Sequence, residues 1–326
     1  MMGRNLMDNK YVIAGLILIV FFALPFLIEK SYPMYILNLV GIYAIVTIGL
    51  NIVMGYAGQI SIVNAGFMGI GAYVTALSIV KLGIPIYAAL PMAGILTAGI
   101  GIIIGFPALR LGSHYLAMAT LACNQAIQLI MIHWKSVTMG AAGVSLSSVN
   151  IGPIALNSNH RLYFLITPVT LILIYLYLNI IKSKLGRSLI AVRDSEIAAQ
   201  SMGVSLAKYK TTAFAISGFY AGIGGGLLAL VVGYVSPESF GLNESVFHLA
   251  VLVIGGTATL PGPILGSIFF VVAPELFHWM VEYKVLVFSL IALIFIIFMP
   301  GGISGMIKRG VSGGTFKRVL NKASKG

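Results

Sequence analysis

Between residues 11 and 299 the chain is a succession of ten apolar runs separated by short polar breaks, a pattern that few folds accommodate. The runs cover 11–28, 35–54, 62–80, 86–106, 114–133, 162–181, 211–233, 246–260, 264–281 and 285–299. A helix needs about 20 apolar residues to cross a hydrocarbon core of roughly 30 Å, and most of the runs approach that length. Soluble domains carry about 25% charged residues; here the share is 9%, against 59% hydrophobic residues. The expected fold is therefore all-α, a single polytopic membrane domain over residues 1–326 with about ten transmembrane helices. The first run follows Arg4 and Lys10 and is longer than the roughly 7–15 residues of a signal-peptide core, so a retained helix is expected. The run 246–260 is short enough for a broken or re-entrant segment.

The formal net charge is +12, and its placement separates membrane topology from nucleic-acid binding. Lys182, Lys184, Arg187, Arg193, Lys208 and Lys210 crowd one polar loop, 182–210. Lys308, Arg309, Lys317, Arg318, Lys322 and Lys325 crowd the tail, 308–326. With ten crossings and a cytoplasmic N-terminus, fifteen basic residues fall inside; Lys30, Lys81, Lys135, Arg161 and Lys284 fall outside. That asymmetry follows the positive-inside rule and predicts a multi-pass protein of the cytoplasmic (inner) membrane, both termini inside, in contact with lipid and not with nucleic acid.

Two breaks in the apolar pattern point to irregular backbone at membrane depth. The stretch Gly55–Tyr73, GYAGQISIVNAGFMGIGAY, mixes glycines with Gln59, Ser61 and Asn64. Such backbone is tolerated in a bilayer only where protein buries it or it lines a cavity, so these three residues are candidates for a translocation pathway or gate. A cytoplasmic turn capping the third helix is the alternative reading. In Gly255–Gly266, GGTATLPGPILG, prolines and glycines predict a re-entrant element or a tight helix hairpin. Gly218, Gly222 and Gly226 recur every four residues on one face of the seventh helix, as do Gly101 with Gly105 and Gly262 with Gly266. Small residues on one face allow close helix packing, within the chain or against a partner.

The polar loop carries a short helix signal. Ser195 stands as an N-cap before Glu196, while Ile197, Ala198, Ala199 and Met202 give an apolar face ending at Gly203. The loop 134–161, rich in Ser, Asn and Gly, reads as an outer docking rim or a plain connector.

Chemistry-bearing constellations are sparse. The single cysteine, Cys123, supports no disulfide framework and no cysteine-based metal site, and no metal is expected. The eight acids fall mostly at run ends or in loops; Glu275, His278 and Glu282 are the best candidate for a proton or metal site on one helix face. That would suit a stand-alone ion-coupled carrier. Gly302-Ile303-Ser304-Gly305 matches the serine signature of an intramembrane protease, but no histidine follows it to act as base. No G-x-x-x-x-G-K-S/T phosphate loop occurs, so any use of ATP has to come from a partner. The chain is expected to be a transport subunit and not an enzyme.

Four segments carry a family resemblance: Lys182–Leu230 (KSKLGRSLIAVRDSEIAAQSMGVSLAKYKTTAFAISGFYAGIGGGLLAL), Asn51–Val74, Phe106–Ala122 (FPALRLGSHYLAMATLA) and Val253–Ser267 (VIGGTATLPGPILGS). Together they closely resemble the permeases of branched-chain amino acid ABC transporters of the LivM type, in the family's order and across most of residues 35–307. The resemblance implies a type II importer permease, paired with a second homologous permease, two ABC ATPase subunits and an extracytoplasmic substrate-binding protein. It implies no cofactor on this chain, with ATP used by the partners. It also identifies Arg193–Gly203 as the element that couples to the ATPase, through Arg193, Asp194, Glu196, Ala198, Ala199, Met202 and Gly203. Here Glu196-Ile197-Ala198-Ala199 departs from the general importer signature by the inserted isoleucine. The expected cargo is leucine, isoleucine or valine; urea, amides or another small solute are the alternatives within the family.

Overall fold

The computed structural model describes residues 30–106, 113–146, 150–151, 154–155 and 158–276, with Pro25, Leu293 and 302–305 besides. The expected helices at 11–28 and 285–299 and the basic tail lie outside the described residues, apart from those isolated positions, and the helix expected at 264–281 is described as far as 276.

The long helices fall where the apolar runs do. In chain order they are α1 (Ser31–Asn51), α2 (Asn64–Val80), α3 (Ile86–Gly105) and α4 (Ser113–His133), then the single turn α5 (Lys135–Thr138). After them come α6 (Asn159–Lys182), α7 (Lys184–Asp194), α8 (Glu196–Ser201), α9 (Leu206–Val232), α10 (Leu242–Gly255) and α11 (Pro261–Leu276). Five stretches are long and apolar enough to span a membrane: Ser31–Tyr56, Ile86–Gly105, Tyr115–His133, Asn159–Lys182 and Leu206–Val232. Asn64–Val80, Leu242–Gly255 and Pro261–Glu275 are apolar but shorter. The protein is an all-α polytopic membrane protein; α2 and α10 are shorter than a full crossing, and α11 is described only as far as Leu276.

Helix α9 is the centre of the bundle, packed against α1, α2 and α3. Its glycines explain the closeness. A Cβ on Gly218 would lie 2.6 Å from the Thr97 carbonyl oxygen, and one on Gly222 2.6 Å from Thr97 Oγ1. A Cβ on Gly225 would run into the Met68 carbonyl, and one on Gly226 into Thr75 Oγ1. Gly101 and Gly105 approach Phe214 in the same way, and Gly266 approaches Val251 and Gly255. The regularly spaced glycines thus serve contacts within the chain. Gly225→Ala, whose methyl meets backbone that cannot give way, is expected to cost about 2–3 kcal/mol. Gly99→Ala, with nothing within 4 Å, is expected to be neutral or slightly stabilising. Thermal melting of the detergent-solubilised protein distinguishes the two.

The segment after α4 is ordered in several short pieces. After α5 comes a 3-10 turn (Gly140–Ala142), then β1 (Val144–Ser145), β2 (Asn150–Ile151) and β3 (Ile154–Ala155). β2 and β3 form a small antiparallel pair, and β1 pairs antiparallel with β4 (Tyr234–Val235), which follows α9. The rim between α4 and α6 is therefore tied to the far end of the central helix.

Candidate functional site

The break between α1 and α2 is built by specific residues. α1 loosens into a π-turn, Ile52–Tyr56, and the chain then runs without helix to Asn64. A helix that begins inside a bilayer strands its first N–H groups, and neighbouring helices supply their partners here. The Ala65 N–H donates to Ser245 Oγ (3.1 Å) and the Gly66 N–H to Asn124 Oδ1 (2.6 Å), while Ser245 and Asn124 are themselves 3.1 Å apart. Depth follows from where those partners sit. Asn124 is next to the midpoint of the 21-residue α4, and Ser217, which donates to Asn64 Oδ1 at 3.5 Å, lies near the middle of the 27-residue α9. α2 therefore starts near mid-depth of the bundle.

All three pathway candidates are buried: Gln59 and Ser61 are each 3% exposed and Asn64 1%. Neither side-chain atom of Gln59 finds a hydrogen-bond partner among the described residues, which is costly in a dry interior. Asn64 Nδ2 lies 3.4 Å from His248 Nδ1. The structure thus sets Asn64 in a polar core at mid-depth, whereas a turn outside the membrane would leave it wet.

That core holds residues the sequence pattern did not single out. His248 is fully buried, and its Nε2 approaches Glu244 Oε1 at 3.4 Å without hydrogen-bond geometry. The Tyr43 hydroxyl donates to the same Glu244 oxygen at 3.0 Å. Tyr43 lies twelve residues, about 18 Å, into α1. Glu244 sits at a helix end, in the first turn of α10, as the acids were expected to, but that end lies inside the bundle. Hydropathy placed Glu244 before the eighth run, but the segment Pro237–Phe240 carries the chain back into the bundle before α10 begins. Glu275, the one described member of the expected site of Glu275, His278 and Glu282, accepts from the Tyr32 hydroxyl at the opposite end of α1 from the break. His278 and Glu282 lie outside the described residues, and no group of three metal-ligating side chains occurs among the described ones. Ser304 is buried and accepts from Thr259 Oγ1 at 3.0 Å.

At the end of the bundle where α1 breaks, three elements meet. The buried Asn51 amide donates to the Tyr177 hydroxyl (2.9 Å) and the Thr259 carbonyl (2.9 Å), and its oxygen accepts from the Ala258 N–H (2.8 Å). Ala258 and Thr259 form the reversal between α10 and α11, so Gly255–Gly266 is the expected tight hairpin. Gly55 and Gly58 leave room for the approach of this turn and of Arg193.

The polar loop docks on the same block. It contains more helix than its pattern suggested: α7 occupies Lys184–Asp194, and α9 begins at Leu206, taking in Lys208 and Lys210. Ser195 caps α8 by accepting from the Ala198 N–H at 3.2 Å, and Gly203, at φ 79°, turns the chain out of it. Arg193 donates to the Gly55 carbonyl (3.0 Å) and pairs with Asp194 (3.0 Å). Glu196 pairs at 2.7 Å with Lys210, which is buried near the start of α9. The expected single apolar face is corrected: Ala199 packs inward at 5% exposure, while Ile197 (81%) and Met202 (84%) point away and Ala198 is exposed. On a six-residue helix these positions cannot all face one way, and the inward side takes the smallest side chain.

Residues 32–300 match the family described as branched-chain amino acid transport system, permease component. The high-affinity branched-chain amino acid transport system permease protein LivM of Escherichia coli K12 is 33% identical over an alignment covering 94% of this chain and 77% of that protein. LivH of Salmonella typhimurium is 26% identical over 81% of this chain and 91% of its own length. The ribose import permease protein RbsC of Haemophilus influenzae is 25% identical over 80% of each. No solved structure matches the chain.

Proposed function

Because the chain belongs to the branched-chain amino acid transport permease family, we propose that it is the membrane-spanning half of an ATP-driven importer for leucine, isoleucine and valine. It is an integral membrane protein and a transport subunit within a multi-component system. On this reading a second permease of the same kind lies beside it, two ATPase subunits bind beneath, and a binding protein delivers cargo from outside. The loop, the α1 break and the α10–α11 turn then face the cytoplasm, in the inner membrane, with the β1–β4 rim outside; the excess of basic residues in the loop supports this orientation.

The observation that carries the mechanism is the wiring of the loop. α8 offers two large apolar side chains to the outside, as a docking element should, while the residues flanking it are bonded into the permease. Arg193 holds the carbonyl of Gly55, inside the π-turn, and Glu196 holds Lys210 on the central helix. A displacement of α8 by an ATPase would act on both at once. From the break, the chain runs through Gln59 and Ser61 to Asn64 in the mid-depth polar core, so these three act as the gate on this reading. Gly218, Gly222 and Gly226 hold the central helix against α2 and α3 while the gate moves.

The test is reconstitution. Purified permease pair, ATPases and binding protein in liposomes are expected to accumulate radiolabelled leucine only with hydrolysable ATP. Uptake by the permease without ATPases, or uptake unchanged by a non-hydrolysable analogue, would overturn the proposal.

A further inference from the structure

We propose that the polar cavity between α4 and the start of α10 is a subsite for the ammonium group of a zwitterionic amino acid, with the Glu244 carboxylate as its counter-charge. The inference deepens the importer reading and rests on it for the cargo.

The cavity, open on one side, has a volume of about 440 Å³ and is lined by Gln125, Gln128, Glu238, Ser239, Asn243 and Glu244, together with Gly241 and Leu242. Glu238, Ser239 and Asn243 form its exposed mouth, and its inner wall reaches into the bundle. Gln125 lies eight residues, about 12 Å, inside the end of α4, and Glu244 touches Tyr43 well inside α1. An ionisable residue at membrane depth is costly to keep and marks a pathway by default. The carboxylate is held where the chain can use it: Tyr43 donates to Oε1, His248 stands 3.4 Å from the same oxygen, and the Glu244 side chain keeps 23% of its surface open. Among the described residues, no Lys or Arg lines this cavity.

A negative site with no Lys or Arg among its described lining suits a ligand that brings its own positive charge. The remaining lining supplies what the other end of the zwitterion needs, since the amides of Gln125, Gln128 and Asn243 can donate to a carboxylate. Gln128 Nε2 already donates to the Pro237 carbonyl at 3.3 Å, which fixes its orientation. Behind the cavity, Glu244 leads through His248 to Asn64, and Asn124 Nδ2 in the same core has no hydrogen-bond partner among the described residues. The subsite is thus joined to Asn64 through one buried side chain, His248.

The experiment uses the full permease–ATPase complex in nanodiscs without binding protein. Binding of L-leucine, 3-methylbutylamine (no carboxylate) and 4-methylpentanoate (no ammonium) is measured by saturation-transfer NMR. Leucine and the amine are expected to bind and compete, with the acid at least tenfold weaker, because the charge-assisted hydrogen bond is the dominant contact. Glu244→Gln is expected to weaken leucine and the amine about tenfold or more, and to lower leucine uptake in liposomes similarly while the complex still assembles. Equal binding of the acid and the amine to the unaltered complex overturns the subsite whether or not the variant folds. So does a folded Glu244→Gln complex that takes up leucine at the unaltered rate. If the unaltered complex, reconstituted in liposomes with the binding protein, fails to take up leucine with ATP, the importer reading falls instead, and the amine–acid comparison still decides the charge preference of the cavity.

Discussion

A permease carrying Ile197→Glu and Met202→Glu together is expected to reach the membrane in normal amount and to leave its ATPase behind during purification. Both side chains are more than four-fifths exposed, so exchanging them disturbs nothing in the folded chain. A large apolar side chain that becomes buried at an interface centre commonly contributes about 2 kcal/mol or more. Losing two, and burying carboxylates in their place, should weaken association more than a hundredfold. Leucine uptake in liposomes should fall to background, with the melting temperature of the isolated permease unchanged. Ala199→Leu should do the opposite, since Ala199 is 5% exposed and packs inward: it destabilises the loop itself. Retained ATPase in the double variant would show that α8 is not the docking element.

The contrast between Ile197 and Ala199 also shows what a sequence of this kind discloses. Long helices were legible because a bilayer demands uniform apolar runs, and α3 falls at Ile86–Gly105 against the expected 86–106. The break at Gly55–Asn64 was legible because glycines and amides interrupt such a run. The capping of α8 by Ser195 was legible because capping is local. α7 was hidden because its polar surface made it resemble the charged loop around it. The direction each α8 side chain takes is decided by tertiary contact, chiefly the bond between Glu196 and Lys210, and six residues are too few for periodicity to reveal it. Glu244 was hidden for a related reason. Hydropathy orders residues along the chain, whereas depth depends on the re-entry at Pro237–Phe240 that brings α10 back beside Tyr43.

Asn51 is the residue whose importance is least visible in one dimension and most visible in three. It is a single amide near the end of an apolar run, yet it satisfies the Ala258 N–H and engages the Tyr177 hydroxyl and the Thr259 carbonyl. Asn51→Leu keeps the volume and removes all three bonds. Each buried group left unpaired costs about 1–3 kcal/mol, so the variant is expected to lose roughly 3–5 kcal/mol and to melt far below the unaltered protein. Tyr177 retains a longer contact of 3.4 Å to the Thr259 carbonyl, which softens its share. The attribution is checked by a second substitution: Tyr177→Phe should cost about 1 kcal/mol alone but clearly less in the Asn51→Leu background, where the hydroxyl has already lost its Asn51 donor. Simple additivity of the two would mean that Asn51 acts through its shape. Since Gly55, four residues farther along the chain, is the residue Arg193 grips, a loosened Asn51 should also waste ATP. At temperatures where the variant is still folded, leucine taken up per ATP hydrolysed should fall, because the loop would then pull on a turn no longer fastened to the α10–α11 hairpin.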